Sequence, residues 1–107
     1  MDKLVKLTTD FLKLLSDPKK ILILKFLKNE KHHSKEIQNL IDKSQSYTSQ
    51  ILNMMENANL IKVERKNNRN YYFVKDREIY TILEDIQRYV VQLEKRKLDF
   101  LNKVKFD

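Results

Sequence analysis

Apolar residues recur at helical spacing through most of the chain, and the few departures from that spacing divide it. Leu4, Leu7, Phe11, Leu14 and Leu15 fall on one side of a helical path, which predicts a first helix. Ser16-Asp17-Pro18 ends it. Asp17 suits the N-cap of a second helix and Pro18 its first position, where a backbone N–H would have no partner anyway. This helix should run from Pro18 to about Lys28, with Ile21, Leu22, Ile23, Leu24, Phe26 and Leu27 covering most of its circumference. A helix apolar nearly all round is expected at the centre of a core.

Asn29 to His33 reads as a polar, solvated connector. Ser34 is the expected cap of a short third helix, about 35–41, with Ile37, Leu40 and Ile41 inward. Its first turn holds Glu36, where a carboxylate complements the helix dipole. Asp42-Lys43 turns the chain, and Ser44 caps a fourth helix, about 45–58. Thr48, Ile51, Leu52 and Met55 form its inner face, with Met54 as a further core filler. Asn59 closes it: in a chain without Gly, Asn takes the left-handed terminal position most easily. Leu60 to Lys66 and Tyr71 to Val74 read as two strands, joined at Asn67-Asn68 by a tight turn of positive φ.

From Asp76 a long helix runs toward Phe106. Its apolar positions are Ile79, Ile82, Leu83, Ile86, Val90, Leu93, Phe100, Leu101 and Val104, interrupted at Arg96-Lys97. Some 28 residues reach roughly 42 Å, longer than a small domain is wide. Leaving such a stripe in water costs about 25 cal/mol per Å². The expected cover is the same helix of a second chain together with the first helix, through Leu4, Leu7, Phe11, Ile79, Leu83, Ile86, Val90 and Leu93; the alternative is a helix folded back on its own domain.

Two short helices joined by a three- to four-residue turn make a helix-turn-helix. The second of the pair can enter the DNA major groove, where amides and hydroxyls read base edges. Here that helix presents Ser44, Gln45, Ser46, Tyr47, Ser49, Gln50 and Asn53. The hairpin after it carries Lys62, Arg65, Lys66 and Arg69, with Asn68 in the turn. Cations so placed can hold phosphates and fix register, with Arg69 at the tip the leading wing contact. A solvated charged face is the plainer alternative.

Composition narrows the picture further. The chain has 107 residues, enough for one small domain. Charged residues make up 35%, above the average of about 25%, and the net charge is +7. That balance points to a polyanion, nucleic acid before a membrane surface. There is no Cys, which excludes disulfides, thiolate ligands and a thiol nucleophile. No Gly-rich phosphate loop is possible without Gly, and no Ser-His-acid arrangement stands out, so neither enzymatic activity nor a cofactor is expected. Asp2, Lys3 and Lys6 interrupt the apolar N-terminus, unlike a signal peptide, and the longest apolar run, Ile21-Leu22-Ile23-Leu24, falls far short of a membrane span of ~20 residues. A soluble, cytoplasmic protein is expected.

Four motifs in order resemble those of ArsR-type winged-helix repressors. Leu15-Ser16-Asp17-Pro18-Lys19-Lys20-Ile21-Leu22-Ile23-Leu24 resembles the family's opening run, with Lys20 at the usual Arg. Ser44-Gln45-Ser46-Tyr47-Thr48-Ser49-Gln50-Ile51-Leu52 is similar to the recognition helix. Asn59-Leu60-Ile61 stands where Gly and two apolar residues are usual, and Tyr71-Tyr72 resembles the second wing strand. The resemblance extends over about Phe11 to Leu83; MarR-type regulators are near competitors. It implies a mostly α winged helix-turn-helix with a two-stranded β-hairpin and long N- and C-terminal dimerisation helices. It also implies a homodimer on a palindromic operator that blocks polymerase. On this reading residues 1–107 form a single domain: 1–15 and 76–106 dimerise, 34–58 are the helix-turn-helix, and 60–74 the wing.

The family's metal-sensing patterns are not retained. The usual Cys-x-Cys falls on His33-Ser34-Lys35, and the second pattern, Asp-x-His, on Asp76-Arg77-Glu78 with Tyr89 and Gln92 as its later partners. No metal is expected at either, and the sequence names no small-molecule effector. His32-His33 could in principle be a metal pair or a pH switch, but adjacent side chains rarely converge on one ion. Tyr72 reads as hairpin packing, and Tyr47 as a base or phosphate contact or packing alike. Two other functions stay open: a non-specific architectural DNA binder, and a protein-interaction module acting through the long helix.

Overall fold

The computed structural model describes residues 2–106. Met1 and Asp107, the two ends of the expected single domain, lie outside the described residues. Backbone contacts divide the chain into two compact units, one up to Lys75 and one from Asp76.

The first unit contains four helices, α1 (Lys3–Leu15), α2 (Pro18–Phe26), α3 (Ser34–Ile41) and α4 (Gln45–Asn57). It also contains three strands, β1 (His32–His33), β2 (Lys62–Lys66) and β3 (Arg69–Phe73). Side-chain caps set the helix starts. The Asp2 carboxylate accepts from Leu4 N–H at 2.7 Å, and Asp17 accepts from Lys19 N–H at 3.0 Å with Pro18 next in line. The Ser44 hydroxyl accepts from Tyr47 N–H at 3.0 Å. The core is built from Ile23 and Leu24 of α2, Ile37 of α3, Leu52 and Met55 of α4, and Ile61 ahead of β2.

Helix α4 ends as its sequence predicts. Asn59 has φ 62°, Leu60 N–H donates to the Met55 carbonyl at 3.0 Å, and Asn59 N–H to that of Glu56 at 2.9 Å. These two bonds close a Schellman motif with Asn in place of Gly. Asn67 and Asn68, at φ 53° and 63°, form the tight turn between β2 and β3.

Several expectations need correction. The expected hairpin of β2 and β3 is present, but β1 joins its edge, so the sheet has three strands in the order β1-β3-β2. The segment ending at His33 is not a solvated connector: His32 pairs with Tyr72 and His33 with Tyr71, and His32 is buried. Its ring stacks on Phe26 at 3.7 Å. Its Nδ1 lies 3.1 Å from Glu36 Oε2 and its Nε2 3.5 Å from Glu30 Oε1. His33, rather than Ser34, stands at the N-cap of α3 because strand pairing holds it extended. Glu36 reaches back to accept its N–H at 3.1 Å. Leu22, Leu40 and Met54, taken as core, are 47%, 37% and 50% exposed. A full turn of apolar residues on α2 exceeds the surface its neighbours cover.

Hydrogen bonds from His32 and then from His33 N–H hold the Glu36 carboxyl below its usual value of 4.5. A carboxylate with a depressed pKa stabilises the fold above the unfolded value, and that contribution disappears as pH falls through the folded one. Glu36→Gln is therefore expected to lower stability at pH 7 by roughly 1 kcal/mol, a modest figure because the carboxylate is 40% exposed. Thermal melts should show the gap between wild type and variant closing below about pH 4; a gap independent of pH would refute this role.

The second unit is α5 (Glu78–Phe106), 29 residues and about 43 Å long. Asp76 caps it, accepting from Glu78 N–H at 3.0 Å. Ile79, Tyr80 and Leu83 are buried, whereas Ile82, Ile86, Tyr89, Val90, Leu98, Phe100, Leu101 and Val104 are exposed. Asp85–Arg88 and Glu94–Lys97 pair along its polar side.

Candidate nucleic-acid interface

Helix α4 separates its two sides cleanly. Thr48, Ile51, Leu52 and Met55 face the core and are buried. Gln45, Ser46, Tyr47, Ser49, Gln50 and Asn53 are exposed, as the 100° step of an α-helix requires. Among the described residues no hydrogen bond occupies the side chains of Gln45, Ser46, Ser49, Gln50 or Asn53. Their donors and acceptors face solvent and can bond a base edge without first breaking a bond within the protein. Ser44 differs: its hydroxyl is engaged as the N-cap.

The hairpin orders its cations unequally. Lys66, Asn68 and Arg69 are exposed around the turn. Arg65 is exposed but steadied by Asn70 Oδ1 at 3.1 Å. Lys62 stands at the base of the wing, half-buried, with its ammonium on Asn59 Oδ1 at 3.2 Å. Lys31 and Glu64 form an ion pair at 3.0 Å, which withdraws the one hairpin carboxylate from any approaching anion.

Two clefts join these elements, and sequence reading missed both. One, about 200 Å³, lies between α3 and α4 and is lined by Ser34, Lys35, Gln38, Gln45, Thr48 and Ser49. Another, about 260 Å³, brings Ser34 and Lys35 at the start of α3 against Arg65, Asn68 and Arg69 of the wing. Lys35 had drawn notice only as a failed metal ligand. Its place beside two arginines depends on β1 docking α3 against the hairpin, which no local pattern announces.

The expected dimer residues fall into three groups. Leu4 and Leu7 of α1 are 69% and 55% exposed, and Ile86 and Val90 of α5 are 41% and 50% exposed. Phe11 and Leu93 are half-buried. Ile79 and Leu83 are already buried and have little surface left to offer.

Residues 17–63 match the model of the bacterial regulatory protein arsR family, and they span α2, α3, α4 and the start of the wing. The fold is a winged helix-turn-helix, and its central part is similar to that family. Among solved structures, Rv0081 of M. tuberculosis superposes with a TM-score of 0.84 at 22% identity, over 92% of this chain and 99% of that one. NolR from Sinorhizobium fredii gives 0.72 at 27% identity, covering 79% and 85%. A homodimeric winged helix-turn-helix DNA-binding domain of Mycobacterium bovis, Mb0332, gives 0.72 at 16% identity, covering 90% and 92%. No curated protein sequence matches. The family matched over residues 17–63 is one of bacterial regulatory proteins.

The residues at that family's metal positions have other partners here. His33 Nε2 lies 3.2 Å from Glu36 Oε1, Lys35 lines the wing cleft, and Asp76 caps α5. Among the described residues no group of three His, Cys, Asp or Glu side chains could hold a metal ion. Nor, among them, is any helix long and apolar enough to cross a membrane.

Proposed function

We propose that the chain binds double-stranded DNA sequence-specifically as a homodimer and represses transcription from a palindromic operator in the cytoplasm. The observation that carries this reading is the unoccupied amide and hydroxyl face of α4 beside a cationic wing. Each protomer sets α4 in a major groove, with the two half-sites about 34 Å apart on one side of the duplex. Gln45, Gln50 and Asn53 can each make bidentate bonds to adenine, worth about 1–3 kcal/mol of discrimination. Ser46 and Ser49 reach base edges or phosphate, and Arg65, Lys66 and Arg69 hold the backbone. Residues 34–58 and 60–74 thus act as the reading and gripping segments.

Dimerisation is assigned to 1–15 and 76–106. On α1, Leu4 and Leu7 supply exposed apolar surface and Phe11 is half-buried; on α5, Ile86 and Val90 are exposed, Leu93 is half-buried, and Ile79 and Leu83 are buried. Each such side chain gains roughly 1.5–3 kcal/mol on full burial. The homodimeric M. bovis neighbour supports the same assembly. Repression follows from occupancy, because a protein seated on a promoter excludes polymerase.

Selection of bound sites from a random DNA pool tests the proposal. A palindrome with one-turn spacing is expected; no enrichment over the input pool would leave only non-specific architectural binding. Within the selected site, Gln50→Ala is expected to relax preference at one base pair and leave the salt slope unchanged. Arg69→Ala should weaken binding to every sequence and reduce the slope by about 1. Titrations across salt concentration separate the two effects, and variants indistinguishable from wild type would overturn these roles.

A further inference from the structure

Among the described residues, Lys20 is the one lysine or arginine buried in the fold, at 6% exposure. It stands in the first turn of α2. No hydrogen bond, ion pair or ring contact engages its ammonium among the described residues. Yet no buried side-chain nitrogen or oxygen there lacks a partner. Both statements hold only if the stem is covered and the charged head emerges at an opening. That opening is a cleft of about 130 Å³ lined by Asp17, Lys20, Tyr47, Gln50, Ile51 and Met54.

Two further lysines lie near Tyr47, one of the residues lining this cleft. Lys19 Nζ lies 5.9 Å and Lys43 Nζ 5.7 Å from the centroid of the Tyr47 ring, within the range of cation–π attraction. Two ammonium groups therefore flank Tyr47, and Lys20 lines the same cleft. The opposing carboxylate, Asp17, is engaged as the N-cap of α2. Lys20 and Tyr47 lie in the first turns of α2 and α4, where the helix dipoles add positive potential. The remaining wall, Ile51 and the half-exposed Met54, is apolar.

We propose that this cleft is a second phosphodiester grip, formed by Lys19, Lys20 and Lys43, with Tyr47 as the positioning residue. A nucleotide backbone matches it by parts: phosphate oxygen to the ammonium groups and deoxyribose to Ile51 and Met54. Gln50 belongs both to this cleft and to the reading face of α4, so a duplex read by that face passes directly over the lysines. This rests on the DNA-binding reading above.

The test uses the full chain with a selected duplex and with a random-sequence duplex of equal length. Lys19→Gln with Lys43→Gln, and Lys20→Met alone, are titrated across salt beside Arg69→Ala. Each lost phosphate contact should flatten the slope of log affinity against log salt by about 0.9, equally on both duplexes. Unchanged slopes in the lysine variants, with Arg69→Ala flattened, would overturn the grip while the DNA-binding reading survives. Failure of wild type to bind either duplex would sink both. Because Lys20→Met could disturb folding, amine acetylation of wild type read by mass spectrometry gives an independent answer. Lys19 and Lys43 should react several-fold more slowly with duplex present, and equal rates would overturn the grip.

Discussion

Ile86→Glu combined with Val90→Glu is expected to convert the protein into monomers and to reduce affinity for a palindromic operator by about 10²–10⁴-fold. Both positions lie one turn apart on α5, at 41% and 50% exposure. Neither is needed to complete the core, so the variant should still fold, with a melting temperature lowered only by the lost contribution of association. A dimer seats its second α4 from a high effective concentration set by the first, whereas a monomer must find each half-site separately. Two carboxylates facing their symmetry mates add repulsion and desolvation to the lost burial. Light scattering gives the mass, and binding to full and half operators gives the affinity ratio. A variant that stays dimeric, or that binds both oligonucleotides like wild type, would exclude this stripe as the interface.

The salt dependence supplies a second reading of the same experiment. A monomer contacts half the phosphates, so its slope should be about half that of the dimer. Loss of affinity with an unchanged slope would mean that the substitutions disturbed base contacts and left the assembly intact.

Legibility of the fold tracked how local the determining physics was. Caps and turns act within three or four residues, and Asp17, Ser44, Asn59 and Asn67-Asn68 all took the conformations their chemistry favours. The inner face of α4 was equally readable, since Thr48, Ile51, Leu52 and Met55 follow one helical side. Strand β1 was not. Two residues carry no alternation to detect, and their partners, Tyr71 and Tyr72, lie some forty positions away. His32 passed for a solvated residue because what buries it, the Phe26 ring and the sheet, is tertiary.

The candidate site shows the same boundary. Spacing on one helix identifies Gln45, Gln50 and Asn53 as outward, and clustering within one hairpin identifies Arg65 and Arg69. Lys35 and Lys20 acquire meaning only from neighbours brought in by other elements. Periodicity tells which side of a helix turns inward but not how wide a strip will be covered. That explains Leu22, Leu40 and Met54, apolar residues at the edge of what their neighbours reach.

Leu52→Ala is expected to destabilise the fold by about 2–5 kcal/mol. Leu52 is 1% exposed and sits in the core beside Met55, with Ile23, Leu24, Ile37 and Ile61 making up its fully buried members. Removing three carbons there forfeits their transfer energy and opens a cavity that surrounding α-helices can only partly close. With a domain of this size holding roughly 5–15 kcal/mol in total, such a loss should lower the melting temperature by at least about 8 °C. The next residue gives the control. Asn53, 100° further round the same turn, is exposed, so Asn53→Ala should alter stability by no more than about 0.5 kcal/mol. Its effect should appear in base preference instead. One residue apart along α4, the two substitutions separate folding from reading: a melting temperature lowered equally by both, or by neither, would mean that α4 does not divide its faces between core and DNA.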